Sequence, residues 1–289
     1  MDSYHTSVLL HETIEYLDIK PGRRYIDATL GGGGHTGEIL KRGGEVLGID
    51  VDQDALDHVK ELRINGKLTS AKGNFRDIDR IAQENGFIEV DGILFDLGIS
   101  SHHVDEASRG FSFQKEGPLD MRMDQDLQVK ASDLINILTK GELYELFTKL
   151  GEERFAQTII RSIIRARRIK PIRTTTELSE IISKAVPFSQ PKVNPATRVF
   201  QALRIAVNDE LNTIKEALPK ALPLLGDQGK IAVIAFHSLE DRIIKIQFRE
   251  WEEEGIGKSV TKKPIIPSEE EIAKNNRSRS SKLRVFKKL

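Results

Sequence analysis

The chain contains no cysteine. Disulfides, thiolate metal ligands, iron–sulfur clusters and a cysteine nucleophile are thereby all excluded. Net charge is missing too, because 44 basic side chains are matched by 44 acidic ones over 289 residues. Affinity for a polyanion would have to come from local clustering, not from an overall field. Long apolar runs are also lacking: the longest uncharged one, Ile231 to Phe236, is far short of the ~20 residues a membrane-spanning helix needs. The start, Met1-Asp2-Ser3-Tyr4-His5, lacks the basic-then-apolar order of a secretory signal. A soluble, cytoplasmic protein with no membrane contact is expected. Histidines number seven, and the adjacent pair His102-His103 points its rings apart in any regular structure, so no metal site is expected.

What is present is concentrated near the beginning. Asp27-Ala-Thr-Leu-Gly31-Gly-Gly-Gly34-His35 follows the apolar pair Tyr25-Ile26 and leads into a helix-like segment, Thr36 to Arg42. Glycines between a strand and a helix let the backbone turn sharply and let a ligand lie against bare amides. Asp50 closes the next apolar run, Val46 to Ile49, where a carboxylate can accept both hydroxyls of a ribose. Each such charge-assisted bond contributes roughly 1.5–3 kcal/mol. The pattern is that of a nucleoside-binding half-site.

Over the first hundred residues, short apolar runs at Tyr25–Ala28, Val46–Ile49 and Ile93–Leu97, with a weaker one at Leu68–Ala71, alternate with helix-like stretches at Asp54–Leu62 and Asp77–Asn85. That rhythm predicts βαβ units and a parallel, doubly wound α/β sheet. It stops after Leu97. From Glu106 to Asn208 only helix signals remain: capping boxes at Thr139–Glu142 and Thr174–Glu177, an N-cap at Asn194-Pro195, and an apolar stripe of Phe155, Ile159, Ile160, Ile163 and Ile164. Strand character returns at Lys230–Phe236, followed by a helix-like Leu239–Glu252. A helical insertion into a sheet domain accounts for this order: residues 1–105 and 209–289 form the two parts of the sheet domain, and 106–208 the insert. Two acid-free basic clusters offset the neutral total. One holds Arg154, Arg161, Arg165, Arg167, Arg168, Lys170 and Arg173; the other is the tail from Lys274 to Leu289. Beside a nucleoside site they point to contact with a polyanion.

Gly32-x-Gly34-x-x-Gly37 satisfies a dinucleotide fingerprint, but no second glycine loop is present for a nicotinamide half, and no Gly-Lys-Ser/Thr follows that would make a P-loop. S-adenosylmethionine fits better. It has no pyrophosphate, and acids ending strand one (Asp27), strand two (Asp50) and the strand beside strand one (Asp96) suit an adenosine joined to an amino acid. Without cysteine, methylation at carbon-5 of a pyrimidine lacks its usual covalent helper. Transfer to nitrogen or oxygen needs only alignment at about 3–3.5 Å, and an exocyclic amine also needs an acceptor near its protons. Asp96 is the candidate for that catalytic task. A nicotinamide-dependent oxidoreductase and a non-catalytic RNA-binding assembly factor remain as competing readings.

Longer stretches carry a resemblance: His5-Thr-Ser-Val-Leu-Leu10, the Asp27–His35 loop, Asp91-Gly-Ile-Leu-Phe-Asp-Leu-Gly-Ile-Ser-Ser101, Arg109-Gly-Phe-Ser-Phe113, Gly117-Pro-Leu-Asp-Met-Arg-Met-Asp124, Ala196-Thr-Arg-Val-Phe-Gln-Ala-Leu-Arg204, Phe236-His-Ser-Leu-Glu-Asp-Arg242 and Arg277-Ser-Arg-Ser-Ser-Lys-Leu-Arg284. In them the chain resembles the bacterial methyltransferases of small-subunit ribosomal RNA that act on a cytosine exocyclic amine. The resemblance implies a Rossmann-like S-adenosylmethionine methyltransferase fold with an inserted all-helical domain for substrate recognition. It implies cofactor contacts at Gly33, Gly34, His35, Asp50, Phe75 and Asp96. His103 stands where the family commonly has Gln in Ser-Ser-Pro-Gln, and takes that contact's place. The implied substrate is a cytosine in the decoding region of 16S ribosomal RNA, within the small subunit; the residues leave the oligomeric state open, a homodimer included. For the substrate side, Asp120, Arg122 and Asp124 follow Gly117-Pro118, and His237, Ser238, Asp241 and Arg242 follow the last clear strand. Both groups read either as base and phosphate handling or as salt bridges at a helix start. Phe111 and Phe113 read as core packing ahead of base stacking.

Overall fold

The computed structural model describes residues 7–62, 66–186 and 194–289; His5 and Thr6 fall outside these, as does the side chain of His102. The chain forms two compact units, residues 1–100 with 211–289, and residues 101–210.

In the first unit, α1 (Leu10–Leu17), β1 (Arg24–Asp27), α2 (Gly34–Lys41), β2 (Glu45–Asp50), α3 (Gln53–Glu61), β3 (Lys67–Lys72), α4 (Ile78–Glu84) and β4 (Val90–Asp96) follow one another. β1 pairs in parallel with both β2 and β4, and β2 with β3. Side chains alternate between two buried faces, as the period of two in a strand requires. Ile26, Leu47, Ile49, Ile93 and Phe95 enter one core, while Tyr25 and Val46 pack with Ile39 and Leu40 of α2 on the other side. Helices on both faces explain why these strands read as short apolar runs.

Residues 101–210 contain α5 (Ser101–Asp105), α6 (Ala131–Ile137), α7 (Lys140–Lys149), α8 (Ala156–Ile169), α9 (Thr175–Ala185) and α10 (Ala196–Asn208). Their described residues hold no named strand, only an isolated bridge between Pro118 and Thr174. Both capping boxes form: Thr139 and Glu142 open α7, and Thr174 and Glu177 open α9. Asn194 accepts the amide of Ala196 through its side chain at the start of α10. Ile159, Ile160 and Ile163 are fully buried, so the stripe on α8 faces the core of this unit.

Gly110 combines a left-handed backbone with close approach of neighbouring backbone. Its φ is +75°, and a Cβ there would lie 2.1 Å from the Pro118 carbonyl oxygen and 2.8 Å from the Asp120 amide nitrogen. Backbone atoms cannot step aside as a side-chain tip can. Gly110→Ala is expected to cost about 2–4 kcal/mol, combining backbone strain with overpacking. Calorimetric melting should show the loss as several degrees; a melt unchanged within about one degree would contradict it.

The chain returns through α11 (Glu210–Ala221), β5 (Leu225–Ala235), α12 (Ser238–Glu253), β6 (Gly257–Ser259), α13 (Glu269–Lys274) and β7 (Lys282–Lys288). β5 lies parallel to β4, β7 antiparallel to β5, and β6 antiparallel to β7, which gives the sheet order β3-β2-β1-β4-β5-β7-β6. Part of the basic tail, Lys282–Lys288, is thus a strand of the sheet. Leu283, Val285 and Phe286 are fully buried. Arg284 Nε donates to Asp241 Oδ1 at 2.7 Å, Lys282 Nζ sits 3.3 Å from Asp241 Oδ2, and Lys288 Nζ donates to the Leu225 carbonyl. These charges serve the fold: they let a lysine- and arginine-bearing segment run as a sheet strand.

Candidate active site

Three carboxylates close three adjacent strands at their carboxyl ends: Asp27 on β1, Asp50 on β2 and Asp96 on β4. β1 lies between the other two, and the chain reverses its direction of travel across the sheet there, which is where ligands bind in open α/β sheets. The glycine loop runs from Asp27 to α2, and each acid has a separate hold on it. Asp27 accepts the Thr29 amide at 3.2 Å and the Thr36 hydroxyl at 2.7 Å. Asp50 accepts the Gly31 amide through Oδ2 at 2.8 Å and the Asp52 amide through Oδ1 at 2.9 Å. Asp96 donates its own amide to the Thr29 hydroxyl at 2.6 Å.

Gly33 caps α2 with φ +73°, a left-handed conformation that suits glycine. No side chain caps this end, and the first turn carries no acid, so the amides at the α2 N-terminus keep their attraction for a negatively charged or electron-rich ligand. At Gly34 a Cβ would lie 2.0 Å from Ser7 Oγ. His35 is buried with Nδ1 3.5 Å from Asp96 Oδ2. Phe75 opens a short turn after β3 and meets Phe95 edge-on, with centroids 5.6 Å apart, leaving its ring half-buried beside the core.

The electrostatics are unusual. Burial pushes the Asp27 carboxyl up to about 6, against the lowering effect of its Thr36 and Thr29 hydrogen bonds. Burial also holds Asp96 well above the usual carboxylate range, and the neighbouring charges of Asp27 and Glu240 add to the effect. Asp96 Oδ1 is buried and has no hydrogen-bond partner in the protein. An orphaned buried oxygen of this kind is costly unless something else supplies a donor.

A carboxyl raised from 3.8 to about 6 contributes stability that is intact below about pH 4 and lost as pH rises through about 6. Asp27→Asn should therefore gain about 2 kcal/mol of stability relative to the parent as pH rises from 4.5 to 7.5. Parallel melting curves of the two ligand-free proteins measure it; a difference independent of pH would contradict it.

After β5, His237 caps α12. Its Nδ1 accepts the Glu240 amide at 3.3 Å, while Glu240 Oε2 accepts the amides of Phe236 at 2.8 Å and His237 at 3.2 Å. Ser238 and Arg242 are exposed on the first turns of α12. Asp241 is committed to Arg284 and Lys282: burial would raise its carboxyl, but the two cations bring it below the usual range. The helix-start reading fits His237 and the ion-pair reading fits Asp241.

In the helical unit, His103 is buried with its ring 5.1 Å from that of Phe111, and Phe113 meets Phe200 edge-on at 5.4 Å. All five guanidinium donors of Arg122 are used inside its own loop, on both Asp120 oxygens, the carbonyls of Gln125 and Leu127, and Gln125 Oε1. Arg122 thereby clamps its own loop, which fits the salt-bridge reading of this residue. Asp120 is buried against Arg122 and Lys130. Asp124 accepts the Asp126 amide.

Sequence reasoning missed Thr29, Thr36 and Glu240. Thr29 and Asp96 lie 67 positions apart, so no local spacing could pair them. Glu240, three residues after a non-apolar cap residue, has the form of a capping box and was legible as one.

A glycine loop tied to acids on three neighbouring strands defines a nucleoside-binding α/β domain. Comparison with known proteins gives its kind. The profile of the MraW methylase family matches residues 2–289. Ribosomal RNA small subunit methyltransferase H of Carboxydothermus hydrogenoformans is 48% identical over 308 aligned residues, spanning 100% of this chain and 99% of that protein. The chain belongs to the MraW methylase family. Among solved structures, an rRNA methylase from Streptococcus thermophilus is 12% identical with a TM-score of 0.46, over 98% of both chains. A Streptococcus mutans protein described as a methyltransferase and solved in complex with SAH is 12% identical with a TM-score of 0.45, over 98% of this chain and 99% of that one. Among the described residues, no helix is long and apolar enough to cross a membrane.

Proposed function

We propose that this protein methylates the exocyclic N4 amine of a cytosine in the decoding region of 16S ribosomal RNA, using S-adenosylmethionine as donor, in the cytoplasm. The full-length relative is a small-subunit ribosomal RNA methyltransferase. Bound S-adenosylmethionine supplies an electrophilic methyl group on a positively charged sulfur. Asp50, with a second lone pair on each oxygen, accepts the ribose hydroxyls. Gly33, Gly34 and His35 present a close-packed backbone at the α2 N-terminus, and the half-buried Phe75 flanks the adenine. His103 remains a candidate for a cofactor contact, and the exposed Ser238 and Arg242 remain candidates for contacts made once RNA is bound, as does Asp124; residues 106–208 carry RNA recognition.

The observation that carries the chemistry is the buried, unpartnered Oδ1 of Asp96 at the end of β4. An exocyclic amine is a weak nucleophile because its lone pair is delocalised into the ring. Accepting a hydrogen bond from the amine at Asp96 Oδ1 localises that pair on nitrogen. Asp96, whose raised affinity for protons suits it to hold one, would take up the single proton that the amine gives up on methylation. The target must be unstacked or already single-stranded for its amine to enter such a site.

Mass spectrometry of nuclease-digested 16S RNA tests the reading. RNA from cells lacking the gene should miss one N4-methyl group on cytosine, and purified protein with S-adenosylmethionine should restore it. Restoration at carbon-5, on ribose, or nowhere would reject the assignment.

A further inference from the structure

The basic segment after Arg154 is not one feature but two. Arg167 and Lys170 are engaged internally: Arg167 donates to the carbonyls of Ile135 at 2.6 Å and Leu138 at 2.7 Å, closing the end of α6, and Lys170 pairs with Glu177. Arg161, Arg165 and Arg168 are different. All three are exposed, and among the described residues no ion pair or side-chain hydrogen bond holds any of them. At 100° per residue, positions 161, 165 and 168 fall within about 60° of one another on the face of α8 opposite the buried Ile159, Ile160 and Ile163, over roughly 10 Å of helix. Exposed Arg154 stands at the turn leading into the same helix.

Among the described residues, the acids of the adjoining helices α7 and α9 are engaged elsewhere. On α7, Glu145 pairs with Lys149 and Glu142 caps the Thr139 amide; on α9, Glu177 takes Lys170 and Glu180 takes Lys184. A chain of zero net charge thus keeps an exposed ridge of guanidinium groups on one helix face. Guanidinium binds phosphate through paired donors and stays charged at any working pH. A row of three at steps of one helical turn matches a repeating anion, not a single one.

We propose that the exposed face of α8, through Arg161, Arg165 and Arg168 with Arg154 at its head, is a phosphate-backbone rail for the ribosomal RNA substrate. This rests on the RNA reading above. In the tail, by contrast, Lys282, Arg284 and Lys288 are engaged within the protein.

The test compares the parent with Arg161→Gln/Arg165→Gln/Arg168→Gln, the matching triple Arg→Lys variant, and Arg249→Gln, an exposed α12 control. Binding to protein-free 16S RNA and to small subunits is measured between 50 and 200 mM salt. The triple Gln variant should lose about two units of log–log salt slope, so that the parent's advantage shrinks about twentyfold across that range. Its KM for subunits should rise with kcat at saturation kept, its S-adenosylmethionine affinity and melting should stay unchanged, and the Lys variant should recover most of the slope. Unchanged slope and affinity in the triple Gln variant would overturn the proposal. Weakened binding to subunits with intact binding to protein-free RNA would overturn it too, by assigning the face to a protein partner. If the parent itself methylates no RNA, the functional reading fails instead, and the salt slopes still decide whether α8 binds phosphate.

Discussion

Asp96→Asn is expected to lower the single-turnover methylation rate by about 10²–10⁴-fold, the range associated with loss of a positioned proton acceptor. Asparagine keeps the shape and leaves an oxygen that can accept a hydrogen bond, but it cannot take up the proton. Subunit binding should survive, because Asp96 lies at the end of β4, not on an exposed basic face. Nor should the fold suffer. Asp96 is a buried acid with Oδ1 unpartnered, and burial and its neighbours Asp27 and Glu240 disfavour its ionised form, so a neutral side chain should leave melting equal to the parent or higher. Asp96→Ala should give the same pattern with the acceptor removed outright. A rate within about threefold of the parent in both variants would remove Asp96 from the chemistry.

The second large effect belongs to Asp50. Losing two charge-assisted bonds of roughly 1.5–3 kcal/mol each corresponds to about 10²–10⁴ in dissociation constant. Asp50→Ala also frees the amides of Gly31 and Asp52, which loosens the glycine loop at its start. Asp50→Asn keeps one acceptor oxygen and should recover part of the affinity. Titration calorimetry with S-adenosylmethionine separates the three proteins. Equal affinities would mean that Asp50 only holds the loop and touches no ligand.

Much of the sheet and its ligand edge is legible in the amino-acid sequence. The strands β1, β2 and β4 are short apolar runs because helices cover both faces, and each ends in an acid because the ligand edge lies there. The two boxed helices α7 and α9 carry their own start signals. β6 and β7 do not. β7 alternates charged and apolar residues, and the charges that make it look like a loose tail are matched by Asp241, 41 and 43 positions earlier. Such long-range compensation leaves no mark in local composition. The same limit applies to the site. Asp27, Asp50 and Asp96 stand out by their positions at strand ends, but Thr36, which bonds the Asp27 carboxylate, and Thr29, which accepts the Asp96 amide, bond across turns and strands that only the fold brings together. For Arg122 and Asp241 the sequence left two readings open, and their ion-pair partners lie inside the protein, which fits the salt-bridge one.

The most direct measurement is calorimetric titration of the purified protein with S-adenosylmethionine, its demethylated product S-adenosylhomocysteine, and NADH. A site bordered by Gly33, Asp50 and Asp96 should give saturable heat with the first two and none with the third, and Asp50→Ala should abolish or sharply weaken both signals. Heat with NADH alone, or with none of the three, would contradict the assignment of this crevice to a methyl donor.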